Sequence, residues 1–198
     1  MLTPHRLVPR ATKEILLQQQ AHVFWFYGLS GSGKSTLALA LEKELTEAGR
    51  IVAVLDGDNL RSGLNADLGF SDLARSENIR RAAETAKLLL QNGIIVLCSF
   101  ITPKREFRAL AREIIGPDDL TFIHTQATYS TCAQRDVKGL YAKAKKGEIK
   151  LFTGSDSTFE APANGSPDLI IDTDLLSQTE ALEHIKTQTA LNLYFNSN

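Results

Sequence analysis

The residues from Gly28 to Ser35 read GLSGSGKS and match the pattern G-x-x-x-x-G-K-[ST], a phosphate-binding P-loop. Glycines at these positions allow the backbone to turn its N–H groups onto a phosphate chain. In this pattern Lys34 reaches the β- and γ-phosphates, and the Ser35 hydroxyl holds Mg²⁺. We therefore expect a nucleoside triphosphate to be bound by Gly28, Leu29, Ser30, Gly31, Ser32, Gly33, Lys34, Ser35 and Thr36.

The elements around the motif support this prediction. Residues 22–27 (HVFWFY) form an apolar run typical of a buried strand, and residues 36–48 have apolar side chains at helical spacing. A P-loop functions between a strand and a helix, whose amino-terminal dipole also favours phosphate. A chance Gly/Ser loop would not have both neighbours in register.

A second group of polar residues follows the next apolar run, residues 51–55. We expect this strand to lie beside the P-loop strand, with Asp58 near the phosphates. There Asp58 could deprotonate an acceptor hydroxyl or hold Mg²⁺ through water, so Asp58 and Lys34 are the predicted catalytic residues. Asp56 is the better candidate for capping the next turn. Arg61 and the pair Arg75 and Asn78, three positions apart on one side of a helix start, could hold anionic groups.

Two aromatic residues, Phe70 and Phe152, lie in loops and not on a periodic face. An aromatic side chain there can stack on a nucleotide base, or it can cover the edge of the core. The residues alone leave both interpretations open.

A P-loop is compatible with a GTPase, a hydrolysing motor or a kinase. The chain has no N-K-x-D motif for reading guanine, and 198 residues are few for a motor. A kinase for a small acceptor needs a second pocket, a base and cations, and this chain has candidates for each. A kinase for another nucleotide-like acceptor and a non-catalytic ATP-binding module remain alternatives.

The apolar runs are nearly continuous and separated by helical segments, which predicts a parallel sheet covered on both faces. The fold class is therefore α/β, a three-layer P-loop kinase fold with a five-stranded parallel sheet. We expect an N-terminal arm over residues 1–20, one kinase domain over 21–198, and a substrate-covering lid near 148–165. The predicted strands cover 22–27, 51–55, 94–99, 120–124 and 169–172, and the predicted helices 36–48, 77–91, 107–115, about 129–136, 139–146 and 179–193.

The composition is that of an ordinary globular chain, with a net charge of −1 and 43% hydrophobic residues. No overall basic field would attract nucleic acid or an anionic membrane. No apolar run approaches the length of a membrane span, and the N-terminus lacks the apolar core of a signal peptide. We expect a cytoplasmic protein with reduced, buried cysteines at Cys98 and Cys132.

Five blocks of the sequence resemble the adenylylsulfate kinases of sulfate activation, over roughly residues 24–162. The blocks are GLSGSGKST, LDGDNLRSGLNADLGFS, ENIRR, SFITPKR and QRDVKGLYAKAKKGEIKLFTGSDSTFEAP. The second and last are the specific ones, because the P-loop alone indicates only nucleotide binding. The resemblance implies transfer of the γ-phosphoryl group of MgATP to the 3′-hydroxyl of adenylyl sulfate. It also implies a homodimer, and a separate sulfurylase as the source of adenylyl sulfate because no such domain is fused here.

The resemblance assigns roles to single residues of this chain. Asp58 would face the acceptor hydroxyl, and Lys138 would lie near the transferred phosphate. The sulfate-phosphate end and the ribose would be held by Arg61, Arg75 and Asn78. The acceptor adenine would lie between Phe70 and Phe152, with Phe100 and Ile101 lining its pocket. Arg135 is implied on the adenine side of ATP.

The chain departs from the family pattern at three places. Asp72 to Arg75 reads DLAR where the family has DR-x before ENIRR, Val137 replaces a proline, and Thr102 replaces the serine of F-I-S-P. That serine is sometimes assigned as a phosphoenzyme intermediate. A bound acceptor beside a P-loop donor allows direct in-line transfer, so we expect no phosphothreonine at Thr102.

Overall fold

The computed structural model describes residues 7–149, 152–155, 157–166, 168–189, 191 and 194. Its centre is a five-stranded sheet in which every pair of neighbouring strands is parallel, in the order β2-β3-β1-β4-β5. This confirms the predicted fold class. The strands are β1 (Val23–Tyr27), β2 (Val52–Asp56), β3 (Ile95–Ser99), β4 (Leu120–Gln126) and β5 (Leu169–Asp172).

The strand order corrects one expectation. β2, which carries the acidic residues, is not next to the P-loop strand β1, because β3 pairs with both of them. The carboxyl ends of all three strands still lie at the same end of the sheet, where ligands of such folds bind.

Eight helices flank the sheet in the described part of the chain. They are α1 (Arg10–Leu17), α2 (Lys34–Glu47), α3 (Gly57–Arg61), α4 (Asp72–Leu90), α5 (Arg105–Ile115), α6 (Tyr129–Arg135), α7 (Leu140–Lys145) and α8 (Gln178–Gln188). The predicted helices are present with small shifts at their ends, except the last, which was predicted to reach residue 193. α8 ends at Gln188 because Thr189 has an extended backbone, and residues 190, 192 and 193 lie outside the described residues. α3 is a short helix where a turn was expected. α4 starts five residues before the predicted position because the Ser71 hydroxyl accepts from Ala74 N and caps it.

The core lies on both faces of the sheet, and β1 is buried along its whole length. On one face Trp25 and Tyr27 pack among residues of α4 and α5. On the other face Phe24 and Phe26 pack among residues of α2 and α8. Burial of both faces is the reason that β1 is a continuous apolar run instead of an alternating one.

The N-terminal segment is bonded to the end of the sheet opposite the P-loop, just before β2 and β3 begin. The buried Gln19 side chain donates to the carbonyl oxygens of Gly93 (2.8 Å) and Ile51 (3.0 Å). Arg10 forms ion pairs with Glu14 and Asp119. Helix α1 thus packs on the body, and the division into an arm and a kinase domain stays a prediction.

The described residues contain no helix that is long and apolar enough to cross a bilayer. The same residues contain no group of three or more His, Cys, Asp or Glu side chains arranged to hold a metal ion. Cys98 and Cys132 are both free and buried, as predicted.

Candidate active site

A cavity of about 690 Å³ opens at the carboxyl ends of β1, β2 and β3. It brings together side chains from the P-loop, α3, α4, the loop after β3 and the segments on either side of α7. The predicted site residues that line it are Ser30, Gly31, Gly33, Lys34, Ser35, Thr36, Asp58, Arg61, Phe70, Arg75, Asn78, Phe100, Ile101, Thr102, Arg135, Lys138 and Phe152. Three predicted residues, Gly28, Leu29 and Ser32, are not among the lining residues.

Gly28 and Ser32 shape the P-loop from beneath. Gly28 has φ +152°, and a Cβ built there would lie 2.4 Å from the Thr125 carbonyl oxygen, so only glycine fits. The buried Ser32 hydroxyl hydrogen-bonds the Thr125 hydroxyl at 2.8 Å. These two residues position the loop backbone on the end of β4.

Tyr141 and Cys132 hold the loop from the other side, and sequence reasoning missed both. The Tyr141 hydroxyl donates to the Ser30 carbonyl oxygen at 2.7 Å. A Cβ on Gly31 would lie 3.2 Å from the Cys132 carbonyl oxygen, so α6 passes close to the loop. The P-loop is therefore buttressed by α6 and α7.

Lys34 is only 8% exposed, at the first position of α2. Its ammonium donates to the Leu29 carbonyl oxygen at 2.7 Å, within the same loop. Burial, together with the charge of Lys138, lowers the pKa of Lys34 to about 8. The side chain is thus a buried cation in need of an anionic partner, which the phosphates of ATP would supply.

Asp56 is a site residue that was predicted from the sequence only as the cap of the next turn. Its Oδ1 atom accepts from Asp58 N at 3.0 Å, which confirms the capping prediction. Its Oδ2 atom also accepts from the Ser35 hydroxyl at 2.7 Å, and Ser35 lies 3.0 Å from the Ser99 hydroxyl. Hydroxyl and carboxylate oxygens are the ligands that Mg²⁺ prefers, so the set of donors fits this metal.

Asp58 forms an ion pair with Lys138, which precedes α7. Asp58 is in the first turn of α3, and both side chains are more than half exposed at the cavity. The pair places a carboxylate and an ammonium together on the wall of the cavity.

The predicted acceptor residues Arg61, Phe70 and Arg75 contact one another through one loop. The Arg61 guanidinium lies 4.3 Å from the centre of the Phe70 ring and donates to the carbonyl oxygens of Leu68 and Gly69. The largely buried Arg75 donates to the Phe70 carbonyl oxygen at 2.9 Å and to the Thr153 hydroxyl at 2.9 Å. Arg75 thus connects the loop before α4 to the region predicted as a lid.

Asn78, one turn along α4 from Arg75, has a buried partner that the sequence did not indicate. Its side-chain oxygen accepts from Asn65 Nδ2 at 3.0 Å. This bond fixes the direction of the Asn78 amide at the cavity wall.

The two candidate aromatic residues differ in burial. Phe70 is 57% exposed, whereas Phe152 is 7% exposed and packs edge-on against Tyr141 at 4.8 Å. Phe152 thus covers a small core cluster with Cys132 and Tyr141 while also lining the cavity. Their role as an adenine sandwich stays a prediction.

Thr102 lies in the loop after β3 with φ +41°, a left-handed conformation that is rare for a β-branched residue. Its hydroxyl accepts from the Trp25 indole nitrogen at 2.9 Å, and the residue is buried. A conformation of this kind costs about 1–3 kcal/mol and persists only where surrounding contacts impose it. Thr102 is therefore held as part of the cavity wall.

Arg135, at the end of α6, lies between the P-loop and the segment after β5. It donates to the carbonyl oxygens of Gly31 (3.3 Å) and Thr173 (2.6 Å). Its position on the P-loop side of the cavity is compatible with the predicted contact to the ATP base.

Comparisons with known proteins identify the family. The family model described as adenylylsulphate kinase matches residues 20–172. The chain belongs to the adenylylsulfate kinase family. An adenylyl-sulfate kinase of Bacteroides fragilis is 50% identical over 180 residues, covering 91% of this chain and 88% of that protein. Adenylylsulfate kinases are ATP-dependent enzymes, and the resemblance read from the sequence is confirmed.

Solved structures of adenylylsulfate kinases match as well. The APS kinase of Mycobacterium tuberculosis, solved in complex with AMPPNP and APS, has a TM-score of 0.80 and 45% identity, covering 85% of this chain and 97% of that one. A hexameric APS kinase from Thiobacillus denitrificans has a TM-score of 0.65 and 32% identity, covering 89% of this chain but 30% of that one. A kinase that uses ATP works with a divalent metal ion.

Proposed function

We propose that this chain transfers the γ-phosphoryl group of ATP to the 3′-hydroxyl of adenylyl sulfate by direct in-line attack. The observation that carries the proposal is the convergence of Lys34, Asp58 and Lys138 on one cavity in a member of this family. The acceptor oxygen forms a bond to the γ-phosphorus while the bond to the β–γ bridging oxygen breaks. ADP leaves with that electron pair, and the hydroxyl proton passes to Asp58.

Each catalytic side chain has a distinct task. The Lys34 ammonium neutralises charge on the β- and γ-phosphates, because it is already buried beside the loop that would hold them. Asp58 orients the hydroxyl and accepts its proton, since its carboxylate is exposed to the cavity. Lys138 is paired with Asp58 and lies where the donor and the acceptor would meet, so it can shift between the carboxylate and the transferred phosphoryl group.

We propose Mg²⁺ as the divalent ion, held with ATP by the Ser35 hydroxyl, with Asp56 or Asp58 reaching it through water. A bound Mg²⁺ would screen the phosphate charge and polarise the transferred group. The residues themselves orient the site: Asp56 accepts from Ser35 and from Asp58 N, so one carboxylate aligns the metal-binding hydroxyl with the first turn of α3.

The acceptor half of the cavity suits a molecule that is both anionic and aromatic. Arg61 and Arg75 can bind the sulfate and phosphate groups, and Phe70 presents an exposed ring for the base. Phe100 and Ile101 line the same side of the cavity. A homodimer, a cytoplasmic location and a separate sulfurylase are further parts of this proposal, supported by the family resemblance.

The test uses the acceptor hydroxyl itself. Purified protein with MgATP should convert adenylyl sulfate to a product phosphorylated at the 3′-oxygen, visible as a new monophosphate ester by phosphorus NMR. The 3′-deoxy analogue of adenylyl sulfate should bind and inhibit but give no product. Phosphorylation of that analogue would overturn the assignment of the 3′-hydroxyl.

A further inference from the structure

Arg108, on α5, is a buried cation that is not needed for any step described above. It is only 5% exposed, and it is not among the residues that line the cavity. One terminal nitrogen of its guanidinium donates to the Thr102 carbonyl oxygen at 3.0 Å. The other donates to the carbonyl oxygen of Glu160 at 2.9 Å, with Ala161 at 3.4 Å. One side chain therefore connects two segments that are far apart in the sequence.

One of the two connected segments lines the cavity, and the other is bonded to it. Thr102 and Pro103 line the cavity immediately after Phe100 and Ile101. Glu160 N donates to the Pro103 carbonyl oxygen at 2.8 Å, and its carboxylate accepts from Arg105 N at 2.7 Å. Residues 159–161 of the predicted lid, here called the lid end, are thus attached to the cavity wall. Arg108 bonds the wall and the lid end at this point.

Thr102 is fixed from two directions at once. Trp25 donates to its hydroxyl, and Arg108 donates to its carbonyl oxygen. These bonds hold the rare left-handed conformation of Thr102, which a free loop would leave. Loss of the Arg108 bond would release one of the two constraints on this part of the wall.

Aromatic rings pack beneath the same contacts. The guanidinium carbon of Arg108 lies 4.7 Å from the Tyr27 ring centre, and Tyr27 stacks on His124 at 4.8 Å. Phe159, next to Glu160, stacks on His124 at 5.6 Å. The lid end is therefore joined to β1 and β4 by stacked rings as well as by hydrogen bonds.

The chemistry explains why arginine occupies the position. A guanidinium is planar and presents five donors in a fixed fork, so it can bind two backbone segments and stack on a ring together. A lysine keeps the charge but has one compact ammonium, which cannot span Thr102 and Glu160 in the same geometry.

We propose that Arg108 is a positioning residue for the acceptor: it joins the Thr102 wall to the lid end at residues 159–161 as one preorganised unit. Arg108 does not line the cavity, so it acts through these two segments. The identity of the acceptor rests on the proposed function, whereas the joining of the two segments does not.

The test compares Arg108→Lys with Arg112→Lys, the same substitution one turn later on α5. Arg112 pairs with Asp168 instead of reaching Thr102 or Glu160. For Arg108→Lys we expect the KM for adenylyl sulfate to rise about tenfold, the effect of losing a hydrogen bond from a charged group, with the KM for ATP changed less than about twofold. Arg112→Lys should leave both KM values within about twofold of those of the wild type. The proposal would be overturned if Arg108→Lys raised the KM values for both substrates equally or raised neither. It would also be overturned if Arg112→Lys raised the KM for adenylyl sulfate and spared the KM for ATP.

Two readouts do not require turnover. Trp25 is the single tryptophan, and its indole nitrogen donates to Thr102, so its emission is sensitive to changes around that bond. Arg108→Lys should shift this emission and speed amide hydrogen exchange in residues 157–161, and Arg112→Lys should do neither. If adenylyl sulfate is not the acceptor, turnover fails in the wild type while these two differences persist. Their absence would refute the joining of the segments.

A second variant covers the case in which Arg108→Lys does not fold. Phe159→Leu keeps Arg108 but removes the ring that stacks on His124 and Tyr27. It should raise the KM for adenylyl sulfate in the same direction and spare the KM for ATP. A Phe159→Leu enzyme with unchanged KM for adenylyl sulfate would contradict the proposal.

Discussion

The ammonium of Lys138 pairs with the carboxylate of Asp58, across 80 positions of the sequence. Asp58 is in the first turn of α3 and Lys138 is just before α7, so the pair joins two elements that contribute to the same cavity. Exposed pairs contribute little to stability. The significance of this one lies in the chemistry that its two groups can perform.

The first prediction concerns that pair. Asp58→Asn keeps the shape but removes the base, so kcat should fall by about 10²- to 10⁴-fold, the usual range for general-base catalysis. Lys138→Met should lower kcat by about ten- to a hundredfold, somewhat less than a fully preorganised electrostatic donor. Steady-state rates with adenylyl sulfate measure both. Lys143→Met removes an exposed charge from α7 and is the control; a loss as large as that of Lys138→Met would show that overall charge, not the pair, matters.

The second prediction concerns the support of the P-loop by Tyr141. Tyr141→Phe removes the bond to the Ser30 carbonyl oxygen, and a neutral hydrogen bond contributes about 1 kcal/mol. The KM for ATP should therefore rise about fivefold while the KM for adenylyl sulfate changes little. Tyr129→Phe is the matched control, since the Tyr129 ring packs edge-on against Tyr141 but its hydroxyl does not make this bond. An unchanged KM for ATP in Tyr141→Phe would show that the loop does not depend on this contact.

The third prediction concerns Thr102. Its hydroxyl accepts from Trp25 in a buried position, so it is engaged in structure and not free to attack ATP. Thr102→Ala should lower the free energy of unfolding by about 1–3 kcal/mol, because the indole N–H loses its partner. Wild-type protein incubated with radiolabelled ATP and then denatured should carry no label. A stable label that maps to Thr102 would contradict direct transfer.

The fourth prediction follows from the pKa of Lys34, about 8 in the folded protein against an ordinary value of 10.5. Between these values the folded protein binds fewer protons than the unfolded chain. The contribution of Lys34 to stability therefore increases as the pH rises from about 8 to about 10.5. Bound phosphates would raise the pKa again, so ATP binding near pH 9 should take up about one proton.

Calorimetry in buffers of different ionisation enthalpy measures this uptake. Near pH 6.5 the lysine is protonated with or without ATP, and the uptake assigned to it should vanish. Lys34→Met should show none at either pH. Proton release, or no uptake by the wild type near pH 9, would refute the account of a buried, partly neutral Lys34.

The sheet was predictable because its strands are nearly uninterrupted apolar runs. Burial of both faces explains this for β1 and β3, whereas the edge strands β2 and β5 are only partly buried. The order of the strands was not, since the expected neighbour of β1 was β2 and the structure inserts β3 between them. The first turn of α4 was also missed: Leu73 there is exposed, so it contributes to no apolar face, and only the Ser71 cap marks the start.

The site residues that belong to sequence motifs were predictable, whereas the residues that hold them in position were not. Lys34, Ser35 and Asp58 belong to short patterns whose mechanism is local. Tyr141 and Ser30 are 111 positions apart, and their contact depends on how α7 packs on the P-loop. Asp56 carried a usable signal, its place at the carboxyl end of an apolar strand, but its contact with Ser35 depends on the fold.

Transfer to adenylyl sulfate is tested by measuring ADP formation from MgATP with adenylyl sulfate, with AMP or with no acceptor. We expect a rate that appears only with adenylyl sulfate and falls by at least about a hundredfold in Asp58→Asn, because the base is lost. A rate with AMP and none with adenylyl sulfate would contradict the acceptor. Tight ATP binding with no rate for either acceptor would contradict catalysis itself.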